Sequence, residues 1–131
     1  MNAGKILIVE GDMTLSEVLG SRLEGLGHTI MTHQTGAKAL EELRKQWVDL
    51  LIISINLQGE MDGYSLLKEI KSEKDLARIP VLVSASKPGM REVFEGLGID
   101  AFFEKPYSLD DFQKKVEEVL LKKRQVDLDR I

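Results

Sequence analysis

The chain has 131 residues, a net charge of −4, and 43% apolar against 31% charged residues, which is the ordinary composition of one soluble globular domain. It contains no cysteine, so disulfide bridges and thiolate metal sites are excluded. The acidic balance argues against general nucleic-acid affinity, which depends on Lys and Arg neutralising phosphates, and no apolar run approaches membrane-spanning length.

The opening Met1-Asn2-Ala3-Gly4-Lys5 carries no signal-peptide pattern. With the missing cysteines, that makes the cytoplasm the expected location. Ile6-Leu7-Ile8-Val9 is a continuous apolar run, the mark of a short strand buried on both faces. Thr14-x-x-Glu17 has the form of a capping box, opening a helix with Leu15, Val18, Leu19 and Leu23 at helical spacing and a stop at Gly27. Thr29 to His33 alternate as an edge strand would, and His28 and His33 are expected at the surface. Ala37, Leu40, Leu43 and Trp47 mark a second amphipathic helix.

Asp49-Leu50-Leu51-Ile52-Ile53-Ser54-Ile55-Asn56 is again a buried strand, this one ending in a hydroxyl. A loop through Gly59 and Gly63 leads to a helix carrying Leu66, Leu67 and Ile70. Val81-Leu82-Val83 precedes a helix with Met90, Val93, Phe94 and Leu97, closed by Gly98. Ala101-Phe102-Phe103 is followed by Pro106, then by Ser108 capping a helix of Phe112, Val116, Val119 and Leu120. The domain is expected to span 1–121, with 122–131 extending the last helix or forming a tail. Lys122-Lys123-Arg124 reads as a solvated helix end rather than a binding patch.

Strands alternating with helices imply an α/β fold: a doubly wound parallel sheet with helices on both faces. Right-handed crossovers favour the flavodoxin-like (βα)5 arrangement with strand order 2-1-3-4-5. Chemistry in such sheets collects at the carboxyl ends of the strands, beside the switch point between strands 1 and 3. That crevice should gather Glu10, Gly11 and Asp12, then Ser54 and Asn56, then Ser84 and Ser86, and finally Lys105 and Pro106.

These residues carry a resemblance to the receiver domains of bacterial two-component response regulators, over about residues 4–121. It rests on ILIVEGD at the first strand, DLLIISINL at the third, Met61-Asp62-Gly63, the Ser84-Ala85 pair and the Lys105-Pro106 step. The resemblance implies that the phosphoacceptor aspartate falls on Ser54 and the two Mg²⁺-holding acids on Glu10 and Gly11. It places the metal-binding backbone carbonyl on Asn56, the switch hydroxyl on Ser84 (with Ser86 as its rival) and the switch aromatic on Phe102. It also places the phosphoryl-contacting lysine on Lys105, with Pro106 after it in a cis peptide bond.

The departures are chemical. A serine hydroxyl is a poor nucleophile without an adjacent base, and neither histidine is expected near Ser54. Mg²⁺ wants oxygen ligands and usually one or two carboxylates, whereas Gly11 and Ser54 remove two of three acidic positions. No metal or other cofactor is expected; a metal, if bound, would use Glu10, Asp12 and Asn56, with Glu60 folding back as a further candidate. Lys105 should then pair permanently with Glu10 or Asp12, a partly exposed contact of about 0–1 kcal/mol. The expected function is a non-enzymatic pseudo-receiver: a signalling module that binds protein partners without aspartyl phosphorylation. Its partner surface would be the face made by the fourth helix, fifth strand and fifth helix, where one of Phe102 and Phe103 should sit while the other packs into the core; that aromatic is either exposed for a partner or packed in the ordinary way. Two alternatives stand beside it, a phosphorelay regulator still phosphorylated or metal-binding through atypical residues, and a pseudo-receiver that senses a small molecule in the same crevice. Ser54→Asp alone is expected not to restore phosphorylation, and adding Gly11→Asp is the expected minimal repair.

Overall fold

The computed structural model describes residues 3–129, so the ends of the chain at Met1, Asn2, Arg130 and Ile131 lie outside the described residues. The elements follow as β1 (Lys5–Val9), α1 (Met13–Glu24), β2 (Thr29–His33), α2 (Gly36–Lys45), β3 (Leu50–Ser54), α3 (Gly63–Ser72), β4 (Val81–Ala85), α4 (Met90–Glu95), β5 (Ala101–Glu104) and α5 (Leu109–Asp129). All paired strands run parallel, in the order β2-β1-β3-β4-β5. This is the flavodoxin-like arrangement that the alternating pattern predicts.

The side-chain period of two splits each central strand between two cores. Leu7, Val9, Leu51, Ile53, Val81 and Val83 face α2, α3 and α4, where Leu40, Leu66, Leu67 and Phe94 meet them. Ile6, Ile8, Leu50, Ile52 and Leu82 face α1 and α5, against Leu19, Leu23, Phe112 and Val116. Burial on both faces is why β1 and β3 read as unbroken apolar runs rather than alternations.

Helix starts are set by side-chain oxygens that accept orphan backbone N–H groups. Asp12 accepts from Leu15, Thr35 from Lys38 and Asp62 from Ser65. Ser108 Oγ accepts from both Asp110 and Asp111, as its position before the last helix predicts. Thr14 is not the cap of α1: the helix is already under way at Met13. The second helix also differs from its sequence pattern. Gln46 has extended backbone angles and ends α2, leaving Trp47 outside the helix and half exposed, while Ala39 rather than Ala37 points inward. Val18 and Val93, placed on apolar faces by spacing, are likewise exposed. Lys122, Lys123 and Arg124 sit within α5, which continues to Asp129, and not at its end.

His28 is buried at 7% exposure, contrary to expectation. The turn after α1 brings it under the first strand, where its Nδ1 accepts the Gly4 N–H at 3.0 Å and the Thr29 N–H meets the Gly4 carbonyl. Burial lowers its pKa below 6.5, opposed by the charge of Glu117. The unfolded chain therefore takes up the proton first as pH falls, and stability drops below about pH 6.5 through the lowered folded value. Urea midpoints at about pH 7.5 and about pH 5.5 should differ less for His28→Gln than for the parent chain. His33 is half-buried, with Nε2 3.1 Å from Glu42 Oε1.

Candidate functional site

β1 and β3 are hydrogen-bonded neighbours, so their carboxyl ends deliver Glu10 and Ser54 side by side. Lys105, just after β5, reaches across to both. Its Nζ lies 2.8 Å from Glu10 Oε1 and donates to Ser54 Oγ at 3.0 Å. The second Glu10 oxygen accepts the Asp12 N–H at 2.9 Å. The Glu10 side chain is only 3% exposed and that of Lys105 17%. The expected pair is formed, its acid is Glu10, and it is partly exposed at the Lys105 end and buried at the Glu10 end. Asp12 is occupied elsewhere, because its Oδ1 caps α1.

Ser54 is 2% exposed. Its oxygen accepts from Lys105 and, at 3.3 Å, from the Asn56 N–H. Both hydroxyl lone pairs are thus engaged by donors. An attacking serine needs the opposite arrangement, a neighbouring base that takes its proton. The nearest charged nitrogen here is an ammonium paired with a carboxylate.

Gly11 marks where the two loops touch. Its N–H donates to the Asn56 carbonyl at 3.0 Å. A Cβ at position 11 would lie 2.5 Å from that carbonyl oxygen and 3.0 Å from Leu57 Cα. Gln58 fastens the same loop: its side-chain Nε2 donates to the Gly11 carbonyl at 2.8 Å, and its N–H donates to the Gln34 carbonyl at 2.9 Å. The loop after β3 thus lies directly against the backbone of the loop after β1. The absence of a side chain at Gly11 is what permits that approach.

Ser84 is paired in register with Ser54 and is 4% exposed, whereas Ser86 is exposed beyond the strand. The partner of Ser84 is Tyr107, a residue the sequence reading did not single out. Burial together with the nearby Glu10 carboxylate pushes the Tyr107 phenol up to about 12, an effect that the Ser84 hydroxyl opposes. Its one sequence signal is an aromatic with a polar tip directly after Lys105-Pro106, where the chain leaves the crevice. The Lys105–Pro106 bond is cis. Phe102 is 8% exposed and packs on Phe94, with the Arg91 guanidinium 5.2 Å above its ring. Phe103 is half-buried between Tyr107 and Phe112, with ring centroids at 5.0 and 5.9 Å. The adjacent phenylalanines point to opposite faces of the sheet and both find cover, so of the two alternatives the structure shows ordinary packing.

The sequence profile of the response regulator receiver domain matches residues 6–117. The chain belongs to this family. The transcriptional regulatory protein ZraR of Escherichia coli K12 is 32% identical over 124 residues, covering 93% of this chain but 27% of that protein. The probable transcriptional regulator ycf27 of Pyropia yezoensis is 26% identical over 88% of this chain and 47% of its own length. The receiver therefore spans between about a quarter and a half of these relatives. Among solved structures, the receiver domain of a signal transduction histidine kinase from Syntrophus aciditrophicus superposes with a TM-score of 0.82 at 33% identity, over 92% of both chains. The receiver of sensor kinase PA1611 from Pseudomonas aeruginosa, solved with magnesium in its active-site cleft, shares the fold with a TM-score of 0.81 at 23% identity, over 90% of this chain and 98% of its own.

The donor set of this receiver does not fit such an ion. Mg²⁺ needs several oxygen ligands that include carboxylates. Glu10 gives both oxygens to Lys105 and Asp12 N–H, Asp12 caps a helix, and the Asn56 carbonyl takes the Gly11 N–H. Glu60 is exposed, and among the described residues no three histidine or acidic side chains converge.

Proposed function

We propose that this receiver domain is a pseudo-receiver: a cytoplasmic signalling module that acts through protein partners, with no phosphoryl transfer to its third strand, no metal cofactor and no enzymatic step of its own. The observation that carries this reading is the single ammonium of Lys105, which bonds Glu10 and Ser54 together. The lysine occupies the space between the strand ends with internal contacts, and the reactive address holds a hydroxyl without a base. The family's signalling role then rests on shape. The net charge of −4 favours protein over nucleic-acid partners. No helix among the described residues is long and apolar enough to cross a membrane.

The partner surface in this proposal is the α4–β5–α5 face. It holds a shallow cavity of about 340 Å³ lined by Arg91, Glu95, Ile99 and Lys115 over the edge of Phe102. Charged side chains of both signs beside a covered aromatic suit a polar, reversible contact. Incubation with acetyl phosphate and Mg²⁺, followed by intact mass measurement, tests the central claim. The mass is expected to stay unchanged, and a phosphoryl adduct on any residue of the pocket would overturn it.

A further inference from the structure

The end of the sheet away from Ser54 holds a cavity of about 720 Å³. It lies where the chain enters β3, β4 and β5. Trp47 and Pro80 line it from those entries, and α5 contributes Val119 and Val126. Ligand pockets typically measure about 300–1,000 Å³ and combine apolar walls with a few placed polar groups. Here the placed groups are cations: Arg78, Lys122 and Lys123.

The local acids do not cancel that charge evenly. Asp100 reaches the cavity, but its Oδ2 accepts the Val81 N–H at 2.8 Å. Asp49 accepts from the Lys5 N–H and the Trp47 indole N–H, and Lys123 Nζ lies 3.5 Å from it. Lys123 also sits 5.1 Å from the indole centroid, so the tryptophan is held at its polar edge and under a cation. Arg78 and Lys122 form no ion pair among the described residues. A chain of net charge −4 thus places two uncommitted cations beside a half-exposed indole and an exposed Val126.

We infer that this cavity is a second binding site, separate from the Ser54 crevice, for a small organic anion with an apolar ring. Its acidic group would sit between Arg78 and Lys122, and its ring against Trp47, Pro80 and Val126. Trp47 is the only tryptophan in the chain, so its emission reports on this cavity alone.

The probe is anilinonaphthalene sulfonate, compared with neutral N-phenylnaphthylamine, which keeps the rings and lacks the anion. Saturable one-to-one quenching of Trp47 by the sulfonate is expected, with about tenfold weaker binding of the neutral compound. Arg78→Glu combined with Lys122→Glu should weaken the sulfonate at least about tenfold, with far-ultraviolet circular dichroism and the urea midpoint unchanged. Equal affinity for the two compounds, undiminished binding by the charge-reversed variant, or unsaturable quenching would each overturn the inference. Quenching by a glutamate-rich peptide where the sulfonate fails would overturn it too, and would give the cavity to a protein segment.

Discussion

Lys105→Met is expected to lower the unfolding free energy by about 3 kcal/mol, the low end of the cost of leaving a buried charge without its partner. The Glu10 side chain is 3% exposed, and without the ammonium its carboxylate would keep only the Asp12 N–H. Ser54 Oγ would lose its stronger donor in the same step. The reverse deletion should be milder. In Glu10→Gln the lysine, 17% exposed on a flexible stem, can turn its head toward water. The double variant Glu10→Gln/Lys105→Met should recover most of the loss, since neutral groups of similar shape leave no charge unpaired. Urea unfolding at neutral pH reads all three, with an unchanged slope separating stability from changes in the unfolded state. A loss below about 1 kcal/mol for Lys105→Met would mean that the pair behaves as the surface contact its sequence suggests.

That difference shows what was legible in the chain and what was not. The strands were legible because a sheet covered on both faces leaves unbroken apolar runs, and these fixed the topology and the strand ends together. Ser54, Glu10 and Lys105 could therefore be brought to one crevice from sequence. Their burial could not, because it depends on how loops close over the strand ends. The helix boundaries failed for a related reason. Asp12 and Thr14 are both good caps, and the choice falls to Asp12, whose own N–H is already fixed by Glu10. Trp47 keeps helical spacing from Leu43, yet Gln46 must turn extended for the chain to enter β3. Tyr107 belongs to the site only because the chain folds back beside Ser84, a contact with no pattern in sequence. Gly11 is the most instructive case. In sequence it is a missing carboxylate, and in space it is a missing Cβ that lets residues 56–57 approach.

Gly11→Asp is accordingly expected to damage the pocket rather than repair it, which reverses the expectation drawn from sequence. Its Cβ would meet backbone at 2.5 Å from Asn56 O and 3.0 Å from Leu57 Cα, so no side-chain rotation relieves the contact. The loop must move, and the Gln58 bonds to Gly11 and Gln34 move with it. Overpacking of this kind costs about 1–3 kcal/mol. Gly11→Ala separates sterics from charge and should lose nearly as much as Gly11→Asp. The Ser54→Asp/Gly11→Asp variant, given acetyl phosphate and Mg²⁺, should remain unlabelled, because Lys105 and Glu10 still bond one another and the loop still crowds the would-be second acid. Strong labelling of that double variant would show instead that the loop yields readily. The pocket would then be short of two carboxylates and nothing more, and its shape would not stand in the way of phosphorylation.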